Sequence, residues 1–109
     1  MSKSKVEVMS QPLFKKVAFI GLGLIGSSLA RIIVAEKLAT TIVASTRSQK
    51  TLEDAKSLGL IQEGFSDPVE AVKGADLVVL ALPVRATQKV LELIKPYLTE
   101  TTIVTDVGS

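Results

Sequence analysis

The chain has 109 residues, enough for one domain around a single core, and its 47% hydrophobic content excludes a disordered chain. A net charge of +2, with the basic residues spread along the sequence, leaves no electrostatic footprint for nucleic acid. There is no Cys and no His, which excludes a disulfide framework, a thiolate nucleophile and an internal imidazole base.

Taken in chain order, the pattern alternates strand and helix. Residues 1–14 read as a Lys-containing N-terminal tail without the long apolar segment of a secretory signal, and 15–109 as the folded domain. Lys16–Ile20 predicts a first strand and Leu24–Lys37 a helix. Thr41–Ser45 predicts the second strand, and Gln49–Leu58 a helix ended by Gly59. A short third strand is expected at Leu60–Gln62. Asp67 followed by Pro68 reads as an N-cap with proline at the first helical position, opening a short helix to Lys73. Asp76–Leu82 is a nearly continuous apolar run ended by Pro83, so it predicts a central strand buried on both faces. Val84–Ile94 carries apolar residues at helical spacing, Pro96 ends that helix, and Thr102–Thr105 is the last strand before Asp106–Ser109. The longest apolar stretches are interrupted within about ten residues, too short to span a bilayer. No membrane association and a cytoplasmic location are therefore expected.

The expected fold class is α/β, a doubly wound parallel sheet with strand order 3-2-1-4-5. Ligands of such sheets sit outside the carboxyl ends of the strands where the order reverses. Three loops converge there: the turn after Ile20, the Leu82-Pro83-Val84 corner, and the terminal segment from Asp106.

The first of these loops is the most telling. Gly21-x-Gly23-x-x-Gly26 follows an apolar strand and runs directly into a helix. Gly21 permits the tight turn, Gly23 lets backbone approach a pyrophosphate, and Gly26 lets the helix pack on the strand. Amides from Gly23, Leu24, Ile25 and Gly26 then face the anion with the positive end of the helix dipole. A glycine-rich surface turn would lack both flanks. The motif predicts a bound NAD(P).

A domain that prefers NAD usually carries an acid about twenty residues beyond the third glycine, to hold the ribose 2′-hydroxyl. Here that place reads Ser45-Thr46-Arg47-Ser48. Hydroxyls and a guanidinium suit a 2′-phosphate, which a carboxylate would repel. The competing reading of Arg47 is a solvated loop residue. The missing acid favours NADP over NAD, by at least ~10-fold or about 1.4 kcal/mol.

Three segments together resemble the prephenate/arogenate (cyclohexadienyl) dehydrogenases of tyrosine biosynthesis: Gly-Leu-Gly-Leu-Ile-Gly-Ser-Ser-Leu-Ala at 21–30, Ala-Asp-Leu-Val-Val-Leu-Ala-Leu-Pro-Val at 75–84, and Thr-Asp-Val-Gly-Ser at 105–109. The first two also occur in β-hydroxyacid-type dehydrogenases; Asp-Val-Gly-Ser after the fifth strand is the more discriminating piece. The resemblance implies a Rossmann-type N-terminal domain in a protein with a second domain, and oxidative decarboxylation of prephenate or arogenate. It implies a homodimer when the protein is full length. It also implies a catalytic histidine beyond Ser109, with Ser109 beside it as a catalytic residue that bonds the histidine or the substrate hydroxyl. Leu82, Pro83 and Val84 would lie near the nicotinamide ribose, and Asp106 would order its loop. Ser27 stands where many relatives have a small glycine, and its hydroxyl is expected to serve the pyrophosphate. Two other functions stay open. One is the cofactor domain of another NADP-dependent reductase, of pyrroline-carboxylate reductase or β-hydroxyacid dehydrogenase type. The other is a nucleotide-sensing regulatory module.

Overall fold

The computed structural model describes residues 12–108. Five strands form one parallel sheet: β1 Phe14–Ile20, β2 Ala39–Ser45, β3 Glu63–Phe65, β4 Leu77–Leu80 and β5 Ile103–Asp106, in the order β3-β2-β1-β4-β5. The helices between them are α1 Leu24–Ala35, α2 Gln49–Ser57, α3 Pro68–Val72 and α4 Val84–Ile94, and a 3-10 turn at Lys95–Tyr97 follows α4. The expected doubly wound architecture is what the chain adopts. Among the described residues no helix is long and apolar enough to cross a membrane.

Successive strand residues point to opposite faces, so a strand buried on both sides must be apolar throughout. β1 and β2 end in four consecutive buried residues each, and all four of β4 are buried. Val17, Phe19, Ile42, Ala44 and Val79 pack on Ala30 and Ile33 of α1 and Leu52 and Ala55 of α2. Ala18, Ile20, Val43, Val78 and Leu80 pack on Ala71 and Val72 of α3 and Ile94 of α4. One face thus carries α1 and α2, the other α3 and α4. Register levels the strand ends: Ile20 pairs with both Ser45 and Leu80, Ser45 with Phe65, and Leu80 with Asp106. All five carboxyl ends therefore form one straight rim, which is the surface a ligand meets.

Several boundaries differ from expectation. Phe14 opens β1 and does not belong to the tail, because its amide donates to the Leu38 carbonyl at 3.0 Å and its ring packs on the core. The third strand lies at Glu63–Phe65 and not at Leu60–Gln62. Leu60 is taken up in closing α2: its amide reaches Ala55 O at 2.9 Å while Gly59 donates to Lys56 O at 3.0 Å, a Schellman closure. Leu60 and Ile61 then drop into the core as a linker. Gln62 bridges to β2 with its own side chain, Oε1 accepting from the Ile42 amide at 2.6 Å. β4 is shorter than the apolar run suggested, since the chain turns toward the first loop after Ala81, whose amide donates to Ile20 O at 2.9 Å.

α1 ends at Ala35, two residues before the expected Lys37. Lys37 itself takes a left-handed conformation, φ 54°, in a second Schellman closure with Leu38 donating to Ile33 O at 3.0 Å. Glycine is the residue such a position favours. Lys37 is exposed, so nothing but conformation is at stake. Lys37→Gly is expected to stabilise the fold by about 0.5–1 kcal/mol, seen as a rise in Tm of a few degrees, roughly 2–8 °C, in thermal denaturation followed by circular dichroism.

Candidate functional site

The site grows from the end of β1. Gly21 has φ 82°, and its amide donates to the Ser45 carbonyl at 2.7 Å, which ties the first loop to the end of β2. A Cβ there would overlap the Ala81 carbonyl oxygen and stand 2.8 Å from Leu82 Cδ2. Only glycine lets β1 turn this close to the end of β4. At Gly26 a Cβ would come within 2.9 Å of the Ala81 Cβ, so this glycine sets the spacing of α1 from the sheet. Gly23 differs from both: it is the N-cap of α1 with φ 30°, and nothing lies within 4 Å of where its Cβ would be. The space in front of it is open to an incoming group.

The first turn of α1 is prepared for an anion. Gly23 offers no side-chain cap, and there is no acidic residue in that turn. Ser27 is the first residue whose amide folds back, onto Leu22 O at 2.8 Å and Gly23 O at 3.0 Å. The amides of Leu24, Ile25 and Gly26 have no backbone partner among the described residues. Unpaired first-turn amides with the helix dipole behind them are the standard cradle for a phosphate. The Ser27 hydroxyl points elsewhere: Oγ donates to Leu22 O at 3.4 Å and so orders the turn.

Beside this turn, between the ends of β2 and β4, lies a crevice of about 550 Å³. Its floor is Ile20 and Gly21, one wall is Ser45, Thr46 and Arg47, and the other is Leu82 and Pro83 with the flank of α4. Ser45 is buried and presents its carbonyl to Gly21. Thr46 Oγ1 accepts from the Ser48 amide at 3.1 Å, which fixes the loop and leaves Arg47 exposed at the rim. Ser48 does not line the crevice. Its Oγ accepts from Thr51 N at 3.2 Å and caps α2.

A second hollow of about 450 Å³ opens on the other side of α4, lined by Val84, Thr87 and Asp106 among others. The corner after β4 is thus divided, Leu82 and Pro83 facing the first space and Val84 the second. Asp106 Oδ1 accepts from the Gly108 amide at 2.9 Å, an Asx-type turn that orders the chain after β5. Ser109 lies outside the described residues.

The sequence pattern missed part of the crevice. Ala86, Lys89, Val90 and Leu93 line it from α4, and Ser66 and Pro68 from the start of α3. Their spacing on α4, three, one and three residues, is one helical face. That stripe was available to a reading by periodicity, but which cavity it faces is a fact of the tertiary structure. Apolar walls and a polar rim give the crevice the character of a small-molecule slot, and Gly21 in its floor leads into the turn that carries the unpaired amides of α1.

Comparison with known proteins agrees. Residues 16–109 match the family described as NADP oxidoreductase, coenzyme F420-dependent. The chain belongs to this oxidoreductase family. It is 40% identical over 97 residues to a cyclohexadienyl dehydrogenase of Zymomonas mobilis, covering 89% of this chain and 33% of that protein. It is 37% identical over 99 residues to a prephenate dehydrogenase of Lactococcus lactis, covering 87% of this chain and 27% of that protein. Among solved structures, prephenate dehydrogenase from A. aeolicus, in complex with hydroxyphenyl propionate and NAD+, superposes with a TM-score of 0.78 at 26% identity. That match covers 87% of this chain and 34% of the other. The expected resemblance is borne out: within the family, this chain corresponds to the dinucleotide-binding domain of prephenate and cyclohexadienyl dehydrogenases. It spans about a third or less of the length of these relatives.

Proposed function

We propose that the chain is the cofactor domain of an NADP-preferring prephenate or arogenate dehydrogenase. The observation that carries the preference is Arg47 at the rim of a crevice whose lining contains no carboxylate. The A. aeolicus relative was solved with NAD+; what argues for NADP in this chain is the Ser-Thr-Arg-Ser sequence at the end of β2. A guanidinium gives a phosphate charge-assisted, bidentate hydrogen bonds, and no acid opposes it.

The residues present fit such a cofactor. Gly21 and Gly26 hold the turn against Ala81, and Gly23 leaves room for the pyrophosphate. The first-turn amides of α1 bind it, and Ser45, Thr46 and Arg47 hold the adenosine ribose. The nicotinamide, when bound, supplies the hydride acceptor for oxidation of the ring alcohol that accompanies decarboxylation. This chain aligns it: Val84, which with Asp106 lines the second hollow, borders the nicotinamide ribose, Leu82 and Pro83 wall the crevice of the adenosine half, and Asp106 keeps the loop after β5 in place through Gly108. Ser109 follows in the sequence, and the family resemblance gives its hydroxyl the role of assisting removal of the substrate proton by a base from a second domain. With no His of its own, this chain binds the cofactor and does not turn over alone.

Calorimetric titration of the chain is expected to show NADP binding at least ~10-fold tighter than NAD, about 1.4 kcal/mol. Arg47→Ala is expected to weaken NADP far more than NAD, and the difference grows at low salt. Equal or tighter binding of NAD overturns the cofactor assignment. A longer protein containing this domain that oxidises neither prephenate nor arogenate would instead support the reductase reading.

A further inference from the structure

The crevice contains a second cation. Lys89 of α4 lines the same space that Arg47 lines from the loop after β2. The two arrive from different elements on opposite walls. No residue lining the crevice is acidic. Neither cation is in an ion pair among the described residues, where the side-chain pairs are Lys50 with Asp54 and Lys73 with Glu70. Between the two charges the walls are largely apolar, with Leu82, Pro83, Val90 and Leu93. A mostly apolar slot bearing two unpaired positive charges and no negative one has a definite complement: a flat heteroaromatic group carrying a phosphate monoester. Such a phosphate holds a charge of about −1.5 to −2 at neutral pH, more than one guanidinium neutralises.

From this we propose that Lys89 is a specificity-determining residue, supplying the second positive charge to the 2′-phosphate of the bound dinucleotide. The inference rests on the NADP reading above and extends it to a residue outside the loop after β2. Arg47 fixes the geometry of the phosphate through its planar fork. Lys89 contributes a mobile point charge from the facing wall.

Lys89→Met keeps the length and apolar character of the stem and removes only the charge. Lys89 is exposed, so the variant is expected to fold, which circular dichroism checks. In calorimetric titrations with NADP, NAD and adenosine 2′,5′-bisphosphate, Lys89→Met is expected to lose about 10-fold in affinity for both 2′-phosphorylated ligands, by the size of a lost charge-assisted bond. NAD should change less than about 2-fold, the salt dependence of NADP binding should become shallower, and Lys89→Arg should restore the preference. An equal loss for NAD and NADP would overturn the proposal by making Lys89 a packing residue of the base. Unchanged binding of all three ligands would overturn it as well. If the unmodified chain itself fails to prefer NADP, the cofactor reading falls first. If the chain prefers NADP and Lys89→Met keeps that preference in full, only the present inference falls.

Discussion

Gly21→Ala is expected to destabilise the domain by about 2–5 kcal/mol and to abolish dinucleotide binding. Two independent costs act at this one carbon. The left-handed backbone, φ 82°, costs an L-residue about 1–2 kcal/mol. The added methyl also runs into the Ala81 carbonyl oxygen and Leu82 Cδ2, and backbone cannot swing aside as a side chain end can. Overpacking of this kind adds about 1–3 kcal/mol. For a domain whose whole stability is of order 5–15 kcal/mol, the loss is large. Thermal denaturation should show Tm lowered by more than about 10 °C. Relief of the clash has to part β1 from β4 or break the bond from Gly21 N to Ser45 O, and either change displaces the Gly21 floor of the crevice and the start of α1 that follows it. Binding therefore fails even at temperatures where the variant is still folded. A variant within a few degrees of the parent that still binds NADP would show that the turn is less constrained than its geometry indicates.

The same residues explain what could be read in advance. The strand order and the glycine turn were legible because each rests on a local pattern. Val17–Ile20 and Leu77–Leu80 are apolar without alternation, which only a doubly covered strand tolerates. Gly59 and Pro68 mark a helix end and a helix start by backbone chemistry alone. β3 was misplaced because burial and pairing separate there. Leu60 and Ile61 look like a strand but serve as core-filling linker, whereas the paired residues Glu63–Phe65 include a charge and a glycine. Gly64 is present because Leu52 of α2 presses on it, a Cβ there coming within 2.9 Å of Leu52 Cδ2. That is a tertiary requirement with no local signature. Lys89 was missed for a similar reason. A lysine on an amphipathic helix reads as solvent-facing, and only assembly of the sheet reveals that its side of α4 borders the crevice. Ser48 shows the reverse case, a hydroxyl assigned to the ligand from sequence that the structure uses to cap α2.

Thr46→Asp is expected to invert the cofactor preference. Thr46 lines the crevice beside Arg47, and its Oγ1 accepts from the Ser48 amide at 3.1 Å. An aspartate oxygen can accept that same bond in an Asx turn, so the loop keeps its shape while gaining a negative charge. A carboxylate at the end of the second strand is what holds a free ribose 2′-hydroxyl and repels a 2′-phosphate. At ~6 Å and an effective dielectric of ~20 two like charges repel by about 3 kcal/mol, or about 100-fold in affinity. Pairing of the new carboxylate with Arg47 acts in the same direction, because it withdraws the guanidinium from the phosphate. Calorimetry at low ionic strength should then find NADP binding lowered about 100-fold, with NAD unchanged or tighter. The screened, high-salt measurement should show a smaller inversion, since the effect is electrostatic and the site is open to solvent. Retention of a tenfold preference for NADP in the Thr46→Asp variant would mean that the 2′-phosphate is not held at the end of β2, and the roles given to Arg47 and Lys89 would fail with it.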